Sequence, residues 1–381
     1  MTEQSDVVVI GGGQAGLAVG YYLARQERRF TILEAAGEPA AAWRARWDSL
    51  RLFTPVRRNG LPGRAFPGDP DSYPDRDQVV AYLEGYARHF ELPVELDSRV
   101  LAVRGADDGF EVELADRRYL AGQVVVATGP FQVPFTPAIA SGLAPEVTQM
   151  HSTEYRRPAQ LPDGPVVVVG GGNTGYQIAE ELVRSREVHL AIGARQTPLP
   201  QRILGRDLFD YLERLGLMSK TVDSRLVQRL KDRETLIGSS PRGARKQGIQ
   251  LRKRVTGAQG TRLSFADGSQ QQVSAVIWAT GFRLEHSLVQ LPVFDADGRV
   301  EHRRGVTAIP GLYFLGMPWL HTRGSALLGW VKDDAQYIAG RIAERAATSS
   351  GAPDPRAATV FESRFGQPAG ADQPSGTPPA S

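Results

Sequence analysis

Two glycine-rich segments carry the clearest chemical pattern in the chain. Residues 11–16 have the sequence Gly-Gly-Gly-Gln-Ala-Gly, residues 170–175 have Gly-Gly-Gly-Asn-Thr-Gly, and each follows a short run of β-branched residues. In such a turn the first glycine allows a sharp bend after a strand, and the second lets the backbone approach a pyrophosphate. The third glycine lets the following helix pack closely against the strand.

A helical pattern follows each turn and strengthens this interpretation. The N-terminus of a helix offers free N–H groups and the positive end of its dipole to phosphates. We therefore predict two pyrophosphate-binding loops, the first formed by Gly11, Gly13, Gln14, Ala15 and Gly16 and the second by Gly170, Gly172, Asn173, Thr174 and Gly175.

The residues that follow the next strand-like run differ between the two copies. In the first copy this run ends at Glu34, whose carboxylate would accept hydrogen bonds from ribose hydroxyls and disfavour a 2′-phosphate. In the second copy no acid follows Gly193, and Arg195 and Thr197 could bind a 2′-phosphate instead. Arg202 could add a second phosphate contact. The pattern predicts FAD at the first site and NADPH at the second, with NADH as an alternative if Arg195 only faces solvent.

The two copies extend beyond the glycine loops and form an internal repeat. Residues 124–129 and residues 276–281 both end in Ala-Thr-Gly after a strand-like run. Thr128 and Gly129 would border the first nucleotide, and Gly281 the second. We predict an α/β chain with two dinucleotide-binding, Rossmann-like domains, in which the FAD-binding domain is discontinuous and the NADPH-binding domain is inserted into it.

The positions of proline and of polar residues suggest where these domains begin and end. Three prolines within residues 158–165 indicate a stiff linker. We therefore predict an FAD-binding domain of residues 1–157 and 284–348 and an NADPH-binding domain of residues 158–283. An amphipathic stretch from residue 325 to about residue 347 predicts a helix. Residues 349–381 offer little to bury, so we expect a flexible C-terminal tail.

The composition excludes several kinds of site. The 381 residues include no cysteine, which rules out a dithiol redox pair, a cysteine nucleophile and an iron–sulfur cluster. The six histidines form no HxH or HExxH pattern, so we expect no metal site. The basic stretch at residues 242–254 has no interleaved aromatic residues, so we expect no nucleic-acid partner. With no signal sequence and no apolar run of membrane-spanning length, we expect a cytoplasmic enzyme without a membrane partner.

The order of these motifs resembles that of the class B flavoprotein monooxygenases, which comprise the flavin-containing and the Baeyer–Villiger monooxygenases. The resemblance covers roughly residues 5–347 and includes His151 and Tyr155, which match the spacing of the family fingerprint. The usual Phe-x-Gly before this histidine is replaced, and Tyr155 stands where Baeyer–Villiger enzymes carry Trp-Pro. These departures favour the flavin-containing type. The resemblance places His151 at a domain hinge, where a structural role is expected and proton donation is the alternative.

The resemblance also implies roles for residues outside the glycine loops. It implies that Trp43 packs against the first cofactor, that Leu52 belongs to a strand of residues 52–55 lining the flavin ring, and that Gly316 lies where the chain returns to the FAD domain. Asn59 is the nearest match to the family's catalytic asparagine, which bonds the flavin peroxide. The residues expected to border the active-site cavity, or alternatively to form a polar rim, are Trp319, His321 and Arg323.

The activity implied by the resemblance is NADPH-dependent monooxygenation. NADPH would reduce FAD, O2 would add to it as a C4a-hydroperoxide, and a small nucleophilic substrate would take one oxygen atom. N- or S-oxygenation and Baeyer–Villiger oxidation remain open, and no side-chain nucleophile is needed. One alternative is an NADPH oxidoreductase that passes electrons from FAD to an external acceptor, and another is a non-catalytic flavin redox sensor. The residues identify neither the substrate nor the oligomeric state.

Overall fold

The computed structural model of the protein describes residues 1–230, 234–350 and 364–365. The strands are, in chain order, β1 (Thr2–Ile10), β2 (Phe30–Leu33), β3 (Val94–Glu95), β4 (Ala102–Ala106), β5 (Gly109–Glu113), β6 (Arg118–Val126), β7 (Val133–Pro134), β8 (Thr148–His151), β9 (Val166–Val169), β10 (Val188–Ala191), β11 (Gln196–Leu199), β12 (Arg202–Ile203), β13 (Arg206–Asp207), β14 (Glu234–Ile237), β15 (Gln250–Arg252), β16 (Val255–Gln259), β17 (Arg262–Phe265), β18 (Gln270–Gln272), β19 (Ala275–Trp278), β20 (Phe282–Arg283), β21 (His302–Arg303), β22 (Val306–Thr307) and β23 (Leu312–Phe314). The helices are α1 (Gln14–Arg25), α2 (Ala41–Arg44), α3 (Arg76–His89), α4 (Asn173–Leu182), α5 (Leu208–Arg214), α6 (Arg225–Leu230), α7 (Pro241–Lys246) and α8 (Val331–Ser350).

Five parallel strands form the centre of the larger sheet, in the order β23-β6-β1-β2-β3. The strands β21 and β22 extend one edge in antiparallel fashion, and the hairpin β4–β5 pairs with β6. Val8 of β1 lies opposite Thr31 and Val124 and is fully buried. Such valine-rich strands, covered on both faces, are typical of parallel sheets. This sheet therefore combines strands from the beginning of the chain with strands from its last third.

The second sheet is entirely parallel, in the order β15-β10-β9-β19-β8. All four valines of β9 are buried, and Val166 lies opposite Val188 on one side and Ala275 on the other. The two copies of the sequence repeat thus form two α/β units, each with a glycine loop between a central strand and a helix. The chain has the mixed α/β fold that the repeat predicts.

The strand β8 belongs to this second sheet although it precedes the proline-rich stretch. It pairs with β19, and Trp278 lies opposite His151. The predicted domain boundary at residue 158 is therefore wrong, because β8 precedes it and yet belongs to the same sheet as the strands that follow it. The prolines lie in a surface loop that connects β8 to β9 within one unit. The two units are also joined by a short strand pair. The strands β7 and β20, which follow the two Ala-Thr-Gly turns, pair with each other.

Two predictions of local structure are also wrong. Residues 52–55 form no strand: Leu52 donates one backbone hydrogen bond to Pro74, Pro55 has no N–H to donate, and a 3-10 turn starts at Val56. The C-terminal helix begins at Val331 and not at Ser325, because a separate 3-10 turn, Arg323–Ala326, precedes it.

Two further observations concern the whole chain. The predicted flexible tail begins inside α8, and apart from residues 349–350 and 364–365 it lies outside the described residues. Within the described ranges we find no helix with the length and apolar character that a membrane span requires.

Candidate active site

The first glycine loop leaves β1 with the geometry that a bound pyrophosphate needs. Gly11 has φ +112°, and a Cβ there would lie 2.6 Å from the carbonyl oxygen of Ala127. A Cβ on Gly16 would collide with the carbonyl oxygen of Gly11, so close helix–strand packing also requires glycine. Gly13, in contrast, faces open space with no atom within 4 Å of a built Cβ. It is the N-cap of α1 and carries no side chain, so ligand atoms can approach the first N–H groups of the helix.

The second glycine loop repeats this geometry at the end of β9. A Cβ on Gly170 would collide with the carbonyl oxygen of Ala279, as Gly11 does with that of Ala127, and Gly175 meets the carbonyl of Gly170. Gly172 is the N-cap of α4 and, like Gly13, has no side-chain cap. The two loops thus fit the same chemical group, a dinucleotide pyrophosphate held by helix N–H groups.

Glu34 lies at the carboxyl end of β2 and is fixed by the first loop. Its Oε2 accepts a hydrogen bond from the N–H of Gly12 at 2.8 Å, and its Oε1 accepts one from Ala36 at 3.0 Å. These bonds leave lone pairs on both oxygens for ribose hydroxyls. A small apolar cavity beside Gly12 is lined by Leu83, Ala87 and Val94 among others, which fits an adenine ring. No sequence motif predicts this cavity, because its lining combines residues of α3 and β3 with residues near the first glycine loop and before α2.

Gln196 takes the corresponding position in the second unit. Its Nε2 donates to the carbonyl of Gly171, and its Oε1 accepts from the hydroxyl of Tyr176 at 3.0 Å. A neutral amide thus replaces the carboxylate of Glu34 beside the loop. The sequence does not single out Gln196, because the position that matches Glu34 in spacing is Gly193 and Gln196 lies three residues further on.

The polar and charged residues near the end of β10 differ in whether they make hydrogen bonds to the protein. Arg195 is exposed, and Thr197 lies in β11 opposite Thr235. Arg254, which the sequence assigned to a solvated basic face, donates to the carbonyl of Gly193 at 2.8 Å. The structure therefore brings a second guanidinium to the strand end where a 2′-phosphate would bind.

Two further residues predicted to contact NADPH have protein partners. Arg202 donates to the Tyr73 hydroxyl at 3.2 Å and to the Asp71 carbonyl at 2.7 Å. Asn173 accepts from the N–H of Ile237 at 3.0 Å and donates to the Thr235 carbonyl at 3.3 Å. Both side chains would have to give up these bonds to contact a nucleotide directly. Thr174 lies in the first turn of α4, and its backbone is the part of the residue placed to meet a phosphate.

Gln14 connects the first loop to two segments that are distant in the sequence. Its Oε1 accepts from the indole N–H of Trp43 at 3.0 Å, and its Nε2 donates to the carbonyl of Ala326 at 2.8 Å. A Cβ on Gly316 (φ +77°) would lie 2.7 Å from the Cβ of Ala15. The returning chain, residues 316–330, therefore lies directly against the start of α1.

The segment of residues 52–59 forms the next part of the wall. Asn59 is fully buried, and its Nδ2 donates to the carbonyls of Thr54 and Pro55 at 2.9 and 3.0 Å while its Oδ1 accepts from the Thr54 hydroxyl at 2.7 Å. Both amide hydrogens are thus directed to the protein backbone. Leu52 is partly buried and packs against the main apolar core. A Cβ on Gly329 would overlap the backbone before Asn59, so this segment also touches residues 316–330.

The turns after β6 and β19 and the fingerprint histidine lie between the two units. Gly129 and Gly281 have positive φ, and built Cβ atoms there meet open space. The Thr128 hydroxyl accepts from the Gln132 amide at 2.6 Å. The Nε2 of His151 lies 3.0 Å from the carbonyl oxygen of Gly281, and burial lowers the pKa of this histidine.

Tyr155, the second fingerprint residue, is fully buried and donates to Glu181 at 2.6 Å. Burial, followed by the bond to Glu181, raises the pKa of this phenol. Its hydroxyl therefore stays protonated as a donor to α4. The contacts of His151 and Tyr155 are those of structural residues that position the turn and the helix.

An insertion between β11 and β14 closes the site from the second unit. Phe209 and Met218 from this insertion pack in an apolar cluster with Phe53 and Trp330. The rings of Phe53 and Phe209 stack at 6.0 Å, and Trp330 lies 5.3 Å from Phe209. The sequence motifs did not single out this insertion, which carries no glycine signature.

The chain is similar in sequence to several oxidoreductases. The family model of the pyridine nucleotide-disulphide oxidoreductases matches residues 8–202. An uncharacterized oxidoreductase of Geobacillus kaustophilus is 44% identical over 88% of this chain and 98% of its own length. An indole-3-pyruvate monooxygenase of Oryza sativa subsp. japonica is 31% identical over 81% of this chain and 86% of its own length.

A solved structure agrees with these matches over nearly the whole chain. The flavin-containing monooxygenase from Stenotrophomonas maltophilia superposes with a TM-score of 0.77 and 31% identity, covering 91% of this chain and all of that protein. These relatives imply a flavin and a nicotinamide nucleotide as cofactors, and the two glycine loops fit both. The chain is therefore an oxidoreductase that belongs to the pyridine nucleotide-disulphide oxidoreductase family and, within it, to the flavin-containing monooxygenases and their relatives.

Proposed function

We propose that the first glycine loop binds FAD and the second binds NADPH. The carboxylate of Glu34 beside the first loop favours a ribose without phosphate, and Arg195 with Arg254 beside the second favours a 2′-phosphate. The FAD-binding domain then consists of the segments before β8 and after β20, with the NADPH-binding domain between them. The observation that carries this assignment is the difference in charge between two loops of the same geometry.

We further propose that the protein is an NADPH-dependent monooxygenase. One oxygen atom of O2 would enter a small nucleophilic substrate, and the other would leave as water with the two electrons of NADPH. The flavin supplies this redox chemistry when bound. The chain has no cysteine, so it cannot pass electrons to a dithiol of its own, as the disulfide reductases of this architecture do.

The residues of the protein would bind, orient and exclude water. The apolar cluster of Phe53, Phe209 and Trp330 covers the site from the side of the insertion. Gln14 and Trp43 fix the loop that would face the flavin. None of these residues acts as a nucleophile in the proposed reaction.

A second function is favoured by one observation. Both amide hydrogens of Asn59 are bonded to backbone carbonyls, so this side chain has no hydrogen left to donate to an oxygen intermediate. An NADPH oxidoreductase that passes electrons from FAD to an external acceptor would not need such a donor.

Oxygen-isotope labelling separates the two functions. The purified protein, loaded with FAD, is supplied with NADPH, ¹⁸O2 and a thioether, a tertiary amine or a cyclic ketone as probes. A monooxygenase incorporates one labelled atom into at least one product, with product formation matched to NADPH oxidation. Release of all reducing equivalents as hydrogen peroxide with every probe, together with rapid reduction of a quinone, would favour the oxidoreductase.

A further inference from the structure

Arg323 is a half-buried cation whose charge the protein does not balance. In the part of the chain that the structure describes, its guanidinium makes no hydrogen bond and no ion pair. Burial alone lowers its pKa, and no carboxylate acts in the opposite direction. Its nitrogens are not among the fully buried polar atoms, so a ligand can reach the partly buried guanidinium and supply the missing partner.

Three arginines in neighbouring segments have carboxylate partners, unlike Arg323. Arg57 and Arg58 both bind Asp210, at 2.7 and 3.1 Å, and Arg304 binds Asp334 at 2.9 Å. These side chains have carboxylates within reach, whereas Arg323 does not. The carboxylates of Asp210 and Asp334 therefore balance the charges of these three arginines, and no carboxylate among the described residues does so for Arg323.

The backbone around Arg323 is held from three sides. Thr322 forms a bridge with Thr221 of the insertion, and the carbonyl of His321 accepts from Val222 at 2.8 Å. A Cβ on Gly324 would lie 2.7 Å from the Cβ of Trp330, so the loop is packed tightly against that indole. Three residues further on, the Ala326 carbonyl accepts the hydrogen bond from Gln14. Arg323 thus lies on a fixed turn between the first glycine loop and the insertion of the second unit.

The position of Arg323 distinguishes it from the phosphate-binding residues. Cofactor phosphates are assigned to the glycine loops and to Arg195 and Arg254, whereas Arg323 lies on the turn that leads to Trp330, which packs with Phe53 and Phe209 in the apolar cluster. A ligand that fills this place needs an apolar body and an anionic end. A carboxylate matches the planar fork of a guanidinium with two parallel hydrogen bonds.

We propose that Arg323 binds the carboxylate of the substrate, so that the enzyme selects small apolar molecules carrying an anionic group. This inference rests on the proposed function, since it assigns the substrate class of the same site. Arg323 would then be a specificity-determining residue, which orients the apolar end of the substrate toward the flavin.

The test measures binding and not turnover, so that it stands apart from the test of oxygenation. The oxidised protein with FAD is titrated with phenylacetate and, separately, with the neutral analogue phenylacetamide, and the change in the flavin spectrum gives each dissociation constant. We expect tighter binding of phenylacetate, and Arg323→Met to weaken it about tenfold or more while leaving phenylacetamide unchanged. Arg323→Lys should keep part of the preference, since a charge remains. Arg303→Ala, at an exposed arginine in β21, is the matched control and should bind both probes like the original protein.

Three results would overturn the proposal. One is equal binding of the two probes, or no binding of phenylacetate, by the unchanged protein, which needs no variant. Another is a preference for phenylacetate that persists in Arg323→Met. The third is a variant that keeps its affinity for phenylacetate but has a raised KM for NADPH, which would show that Arg323 binds a cofactor phosphate. If Arg323→Met fails to retain FAD, the Lys variant decides. A partial or complete loss of the carboxylate preference there, with phenylacetamide unaffected, supports the proposal, and an unchanged preference contradicts it.

Discussion

At the level of single residues, the carboxylate of Glu34 has two bonds that a neutral amide cannot reproduce. Both oxygens accept backbone N–H groups, from Gly12 and Ala36. In Glu34→Gln the amide –NH2 would face one of these N–H donors, so we expect the dissociation constant for FAD to rise about tenfold or more. Fluorescence titration of the FAD-free protein measures this. Glu38→Gln, which removes only a partly exposed partner of Arg44, is the control, and equal effects of both variants would contradict the role of Glu34.

The proposed preference for NADPH over NADH should depend on both Arg195 and Arg254. Removing either guanidinium takes away one charged partner of the 2′-phosphate, so Arg195→Ala and Arg254→Ala should each raise KM for NADPH several-fold while leaving KM for NADH unchanged. Steady-state flavin reduction with both nucleotides checks this. Arg242→Ala, at an exposed position in α7, should change neither constant. An equal rise of KM for NADPH and for NADH would mean that the arginines stabilise the fold and do not bind the 2′-phosphate.

The sequence could predict residues whose role follows from a local turn, and it failed for residues that arrive from elsewhere. Gly11, Gly16, Gly170 and Gly175 each meet a backbone carbonyl that excludes a side chain, and this requirement is visible in the spacing alone. Arg254 follows β15 and reaches Gly193 only because β15 pairs with β10. Asn59 is predicted from the family resemblance, which could not show that the carbonyls of Thr54 and Pro55 accept from its amide.

At the level of elements, a set of polar contacts fastens the insertion to the first unit. Arg57 and Arg58 bind Asp210, the Gln201 amide donates to the Phe53 carbonyl at 2.8 Å, and the Tyr73 hydroxyl donates to Asp207 at 2.7 Å. Burial raises the pKa of Asp210, but the hydrogen bonds from Arg58 and Arg57 outweigh it and hold this pKa below its ordinary value. Asp210 is therefore ionised at neutral pH and is the shared acceptor of both arginines.

Removing the charge of Asp210 should loosen the insertion without unfolding the protein. In Asp210→Asn both arginines lose their shared acceptor, and Arg57 keeps only Asp71, which lies outside the insertion, while Arg58 keeps Glu213. We therefore expect residues 200–230 to be cut by trypsin several-fold faster. We also expect more hydrogen peroxide per NADPH consumed, because the site is less well protected from water. Asp163→Asn, an exposed residue of the proline-rich loop, is the control. An unchanged cleavage rate in Asp210→Asn would show that the other contacts of the insertion hold it in place without Asp210.

The elements that the sequence predicted are those with a strong internal pattern. The valine runs of β1 and β9 and the helices after the glycine loops appear as expected, because buried parallel strands and glycine-capped helices leave local signatures. Residues 52–55 depart from the expected strand because Pro55 and the bonds of Asn59 favour a turn. The insertion escaped prediction because it has no glycine motif and the contacts that dock it on the first unit come from distant segments.

At the level of the whole molecule, both units contain histidines that are held neutral by burial. The pKa values of His151 and His189 in the second unit, and of His286, His302 and His321 in the first, all lie below the ordinary value, with burial as the largest cause in each. Protonation therefore costs more in the folded than in the unfolded protein. Above the ordinary value of 6.5 neither state is protonated and the difference vanishes. As the pH falls below it, the unfolded chain gains protons first, so the free energy of unfolding should decrease.

His286 offers the cleanest test of this acid sensitivity. Both ring nitrogens are buried without a hydrogen-bond partner in the described structure, and the ring packs edge-on against Phe314 at 5.4 Å. Replacing it with an apolar residue removes a group that titrates only in the unfolded state over this range. In His286→Leu we therefore expect the pH dependence of unfolding to become shallower by up to one proton, about 1.4 kcal/mol per pH unit. Denaturant titrations at several pH values between about 7.5 and 5.5 measure the slope.

The control for this measurement is a histidine outside the buried set. His89 is exposed at the end of α3, and the slope measured in His89→Gln gives the effect of replacing a histidine outside the buried set. A slope in His286→Leu equal to that of the original protein would show that this ring is protonated equally in both states, despite its apolar surroundings. A shallower slope would instead mean that protonation of this one buried imidazole accounts for part of the pH dependence of the free energy of unfolding. Loss of FAD on acidification should then be delayed in His286→Leu, because the sheet that carries the first glycine loop unfolds at lower pH.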